Sequence, residues 1–162
     1  MQPKSTLKNI LIHIMINNIG SHIKVSDFTK SKSFYLSLGF KPIFEYGPDC
    51  QAKEDYSGIV FEAGGGVLEI ADGHRAVNPA TFKEHINSSK ISLMIKVDSL
   101  ETIAGLCHQN HIDITVPPRH FYWGTLEMVV KDPDGAVLVF VAPYTKKSAK
   151  TLKPDETFAV KP

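Results

Sequence analysis

The chain contains two copies of one module. The stretch "HIKVSDFTKSKSFYLSLGFKPIF", from His22, aligns without a gap on "MIKVDSLETIAGLCHQNHIDITV", from Met94, 72 residues later, so that Ile-Lys-Val falls on Ile-Lys-Val and apolar residues fall on apolar residues. The later hairpins "IVFEAGGGVLEI" and "MVVKDPDGAVLVF" align at an offset of 70. A period of this length is too long for a solenoid and marks a duplicated half-domain. With 162 residues, the two copies can share one core without disulfide or metal staples.

Each copy reads strand, helix, then three strands. In the first, Ser26 or Asp27 caps a helix whose apolar residues Phe28, Phe34, Tyr35 and Leu38 form one stripe, and Gly39 supplies a left-handed stop. In the second, Asp98 or Ser99 caps Leu100, Ile103 and Leu106, Cys107 belongs to the helix core, and Asn110 takes the C-terminal turn. Strands are expected over 91–97, 112–116, 124–131 and 136–142. The segmentation is an N-terminal extension (1–18), a first module (19–70), a linker (71–89) with a short helix after Asn78-Pro79, a second module (90–143) and a tail (144–162). The tail is rich in Lys and Pro and is anchored, if anywhere, by Phe158. Ile10, Ile12, Ile14 and Ile16 alternate like an added strand.

Charge and cysteine usage narrow the function classes. A net charge of +1, from 18 basic and 17 acidic side chains, gives no field favouring nucleic acid or an anionic membrane. Cys50 and Cys107 form neither a metal-ligand spacing nor a disulfide framework, which is the usage of a reducing, cytoplasmic compartment. His13, Asn17 and Asn18 break the apolar run Ile10–Ile19, and no small-residue cleavage site follows, so neither a signal peptide nor a membrane span is expected.

The repeated βαβββ grammar, with "IKVSDF…FYLSLGF" at one end and "DPDG" at the other, resembles the vicinal oxygen chelate superfamily, which includes glyoxalase I, extradiol dioxygenases and bleomycin-resistance proteins. The resemblance covers about residues 19–143. It implies an α+β fold of two βαβββ modules forming a curled mixed sheet with helices on the outer face. It also implies a test for a metal, because the metal enzymes of that group carry ligands on the first and fourth strands of each copy. The first-strand position falls on Gly20 and Ser92, the fourth-strand position on Glu69 and Val139. One carboxylate among Gly, Ser and Val is a poor donor set for a divalent cation, so no metal and no cofactor are expected.

Strand alternation then gives the composition of the cup. Gly20, His22 and Lys24 share one face of the first strand, Ser92, Met94 and Lys96 one face of its counterpart, joined by Val67 and Glu69, and by Val137, Val139 and Val141. If Asp132-Pro133-Asp134-Gly135 closes a three-residue loop with a Gly bulge, Val129 pairs with Val139 and Glu127 with Val141, and Glu127 joins the same face. His22, Glu69, Met94, Trp123, Glu127 and Val139 are the candidate ligand-binding residues. Each has a plainer reading. His22 fits a hydrogen-bonded interior histidine, Glu69 a relic paired with His22 or Lys96, and the cluster Phe121, Tyr122 and Trp123 a subunit interface. Gly64-Gly65-Gly66 is a hairpin turn, because a strand follows it.

Within the superfamily, Trp123, Gly124, Glu127, Asp132, Pro133, Asp134, Gly135 and Phe140 match the bleomycin-resistance pattern. That resemblance implies a homodimer that sequesters a bulky ligand without a metal. Arg119 and His120 flank the tryptophan and no acidic cleft accompanies it, which favours a small aromatic or amphipathic ligand over bleomycin itself. The expectation is a metal-independent small-molecule-binding protein, with the question of catalysis left open and leaning against it. A metal-dependent lyase, isomerase or dioxygenase built on His22, Glu69 and Glu127 is the alternative.

Overall fold

A computed structural model describes residues 19–75, 78–88 and 90–161. The strand expected over Ile10, Ile12, Ile14 and Ile16 lies outside the described residues. The first copy is β1 (Gly20–Lys24), α1 (Phe28–Ser37), β2 (Pro42–Tyr46), β3 (Gly58–Ala63) and β4 (Gly66–Ala71). The second is β5 (Ser92–Lys96), α2 (Leu100–Gln109), β6 (Ile114–Phe121), β7 (Thr125–Lys131) and β8 (Val137–Pro143). Each copy closes its own four-stranded sheet, ordered β1-β4-β3-β2 and β5-β8-β7-β6. First and fourth strands run parallel and the other pairs antiparallel. No helix among the described residues is long and apolar enough to cross a membrane.

Local chemistry explains the elements. The Asp27 carboxylate accepts from the N–H of Lys30 at 2.9 Å and starts α1, and Gly39, at φ 85°, turns the chain out of it. Ser99 does the same for α2 through the N–H of Thr102. Asp132 to Gly135 forms the expected bulged turn, with Gly135 at φ 92° and the N–H of Asp132 donating to Ala136 O. Val129 therefore faces Val139 and Glu127 faces Val141. The helix after Asn78-Pro79 is a single 3-10 turn, Pro79–Lys83, capped by Asn78.

The two copies share one core. Tyr35, Phe61 and Ile70 from the first and Leu100, Met128 and Phe140 from the second lie in a single buried cluster, each side chain contributing about 1.5–3 kcal/mol of burial. Two aspartates of the second copy's turn lock it to the first copy's helix. Asp134, 1% exposed, accepts the N–H of Ser26 with both oxygens at 3.1 Å, just ahead of α1. Asp132 accepts the Tyr35 hydroxyl at 2.9 Å on one oxygen and the N–H groups of Asp134 and Ala136 on the other. Sequence reasoning saw a turn here. The structure shows a turn whose carboxylates are satisfied by the other module, as burial requires.

The tail is more ordered than its composition suggests. Lys146–Leu152 forms α3, capped by Thr145, and the chain then runs beside β6: the N–H of Asp155 donates to Pro118 O, that of His120 to Asp155 O, and that of Tyr122 to Phe158 O. Phe158 packs on Phe121 and under the Arg119 guanidinium, as the anchor expected of it, and His120 stacks on Tyr144 while meeting Glu156. These contacts cover an edge strand that would otherwise present unpaired backbone.

Candidate functional site

On the face of each sheet away from the shared core, residues in register form straight rows across all four strands. In the first sheet one row reads His22, Glu69, Val60, Phe44. The next reads Lys24, Ala71, Gly58, Tyr46. The two central residues of that second row are small, which lets the long side chains at its ends lean inward over the sheet. The Tyr46 ring lies across Gly58, where a Cβ would sit 2.1 Å from Cζ, and its hydroxyl donates to Glu69 Oε1 at 2.5 Å. From the other side Lys24 Nζ rests against the His22 ring, 2.9 Å from Nδ1, and His22 Nε2 stands 3.8 Å from Glu69 Oε1. His74 lies beside His22, ring centroids 5.8 Å apart, and Tyr56 packs edge-on to Tyr46.

The electrostatics follow from this crowding. Burial, opposed by Glu69 and reinforced by Lys24 and His74, lowers the His22 imidazole below its ordinary value, so it is neutral at pH 7. Burial, opposed by Glu69, also lowers Lys24. Burial together with the hydrogen bond to Glu69 pushes the Tyr46 hydroxyl far above the usual phenol range and keeps it a donor. The cluster presents an ammonium, a neutral imidazole and a carboxylate already held by a phenol.

The corresponding row of the second sheet is Met94, Val139, Val129, Val116, apolar from end to end. Its neighbour reads Lys96, Val141, Glu127, Arg119. Met94 is 66% exposed although the residues on either side of it pack inward. Glu127 accepts from Trp123 Nε1 at 3.2 Å and from the Thr125 hydroxyl at 2.9 Å, and Trp123, 55% exposed, stacks on Phe121.

The candidate residues thus assemble in two groups. His22 and Glu69 meet on the first sheet, while Met94, Val139, Glu127 and Trp123 share the open face of the second. Of three cavities of about 700, 730 and 670 Å³, the first is lined by Met94 and the third by His22, and none by Glu69, Trp123, Glu127 or Val139. Glu69 pairs with Tyr46 and His22, and Lys96 stands on the other sheet. Tyr46 was missed from sequence, and its signal was present: a tyrosine at cup parity on β2 opposite a glycine on β3.

A family model for the Glyoxalase/Bleomycin resistance protein/Dioxygenase superfamily matches residues 10–140. The chain belongs to that superfamily. Among solved structures, the fold is similar to that of a FosX fosfomycin resistance protein from Listeria monocytogenes, determined with Mn(II) and 1S,2S-dihydroxypropylphosphonic acid, at 13% identity and TM-score 0.62, covering 84% of this chain and 99% of that one. A bleomycin resistance determinant encoded on transposon Tn5 matches at 21% identity and TM-score 0.52, over 82% and 100%. TioX from Micromonospora matches at 13% identity and TM-score 0.55, over 78% and 97%. At these identities the likeness is one of fold. No curated protein matches the chain.

The residues present do not fit the metal that some superfamily members use. Among the described residues no three His, Cys, Asp or Glu side chains converge. Gly20 lies one row away from Glu69, with the Val67 side chain over it, and Lys24 brings a positive charge onto the His22 ring beside that carboxylate.

Proposed function

We propose that this superfamily member binds a small aromatic or amphipathic molecule without a metal, on the open sheet faces, with a second copy of the chain completing the cup. The observation that carries this reading is the pair of corresponding rows: His22, Glu69, Val60, Phe44 in one sheet and Met94, Val139, Val129, Val116 in the other. A polar row meeting an apolar row is the composition of an orienting small-molecule site. Phe44, 54% exposed, and Met94 are the apolar groups that a single chain leaves uncovered and that a partner's sheet would shelter. Glu69, held by Tyr46, orients the ligand through its second oxygen, and Trp123 offers a ring for stacking.

The experiment is native mass spectrometry of molecules retained by the purified protein, repeated for Glu69→Gln and Val139→Glu. Retention of one small organic species, lost or weakened in both variants, supports the reading. A transition metal at about one per chain, lost in Glu69→Gln, would instead favour the metal-dependent enzyme.

A further inference from the structure

The third cavity, about 670 Å³, opens at the outer edge of the first sheet and meets its open face at His22 and Lys24. It is walled on one side by four consecutive residues of β1, Ser21 to Lys24, and on the other by the linker and the start of β5. β1 is the end strand of its sheet, and among the described residues nothing pairs with its outer edge. The N–H of Val25 donates to Ala71 in β4, so alternation turns the backbone N–H and C=O of Lys24 and His22 the opposite way, onto that free edge. The linker lies outside the duplicated modules, and it is held in place by the N–H of Ile86 donating to Asp134 O at 2.9 Å and by Gly135, where a Cβ would meet Ile86 O.

The lining has a definite chemistry. Its walls hold two ammonium groups, Lys24 and Lys90, one carboxylate, Glu84, hydroxyls such as Ser88 and Ser92, and apolar residues including Ile23 and Leu93. No ion pair among the described residues involves Lys24 or Lys90. Burial, only partly opposed by Glu69, lowers the Lys24 ammonium. We propose that this cleft between the free edge of β1 and the linker is a second binding site, for a small amphipathic anion: one carboxylate or phosphate head carried on an apolar body. The head meets the Lys24 and Lys90 ammonium groups and the edge N–H groups of β1, and the body lies on Ile23 and Leu93. This goes beyond the reading of the open faces and does not depend on it.

Calorimetric titration of the full chain with phenyl phosphate tests the site, with phenol and inorganic phosphate as separate arms. Phenyl phosphate is expected to bind at least about tenfold more tightly than either half alone, because each half satisfies only one wall. Lys90→Met, at an exposed position just ahead of β5 where folding is not at risk, is expected to weaken it about three- to fivefold, the worth of one exposed charge contact. Glu84→Gln is expected to tighten it. Val139→Glu, on the other face, leaves phenyl phosphate unaffected and separates this result from the fate of the proposed function. Phenol binding as well as phenyl phosphate, or Lys90→Met and Lys24→Met both leaving affinity unchanged, would overturn the site. So would failure of phenyl phosphate to bind because a second copy of the chain fills the cleft, shown by recovery of binding on dilution.

Discussion

The Tyr46 hydroxyl reaches the Glu69 carboxylate across the bare Cα of Gly58, 2.5 Å from oxygen to oxygen. One missing side chain on β3 thereby determines what the carboxylate on β4 is bonded to. Ala at position 58 would push against the far end of the tyrosine ring and not against backbone, so the fold survives and the ring swings away.

From this follows the first prediction. Gly58→Ala and Tyr46→Phe should both release Glu69, cost about 1 kcal/mol of stability in urea titrations, and raise the His22 titration midpoint in NMR spectra. The sign of the pH effect is determined by His22. Its folded value lies below 6.5, so its contribution to stability is complete above pH 6.5 and is lost as pH falls through the folded value. An unmoved His22 midpoint in Tyr46→Phe would mean that the phenol does not hold the carboxylate away from the imidazole.

A second prediction concerns Asp134. Replacing it with Ala leaves the N–H of Ser26 without its acceptor and removes a negative charge from the start of α1. The expected loss is about 1.5–3 kcal/mol, read as a lower urea midpoint at unchanged slope. A loss below about 0.5 kcal/mol would show that water replaces the carboxylate freely.

Asp132 should show the opposite pH behaviour to His22. Burial raises its folded value above 3.8 despite the hydrogen bonds from Ala136, Tyr35 and Asp134. Its contribution to stability is therefore fullest below pH 3.8 and is lost as pH rises through the folded value. Asp132→Asn keeps an acceptor for the two backbone N–H groups, so the difference in urea midpoint between wild type and variant should shift in favour of the variant across that rise. Parallel midpoint curves would refute the assignment.

The open face of the second sheet predicts association. Light scattering of the full chain should give a dimer at micromolar concentration, and Met94→Glu should return it to a monomer with unchanged circular dichroism. A monomer at every concentration would leave both sheet faces to solvent.

Much of this architecture was legible because the repeat constrains it twice. The register of Val129 on Val139 and of Glu127 on Val141 could be read from one bulged turn, since a turn type sets the pairing of the strands it joins. The partners of Glu69 could be read only in part. His22 follows from parallel register, but Tyr46 enters through β2, whose register shifts at a bulge between Pro42 and Phe44 and so cannot be counted from the turn. The Asp132 and Asp134 contacts connect residues about a hundred positions apart, and nothing in either local pattern announces them. The tail was legible only at Phe158: its lysines and prolines are those of a loop, and α3 and the run beside β6 depend on docking to the rest of the fold.

The turn that joins β7 to β8 also has a bearing on how the duplication persists. Because Asp132 and Asp134 find their donors on Tyr35 and Ser26, and because both copies share one buried cluster, neither half retains its full set of native contacts when cut free. The ancestral repeat is no longer an independent unit. Denaturation should run as one cooperative transition in which both sheets melt together, and fragments divided within the linker should recover structure only when mixed, as complementary pieces of a single folding unit.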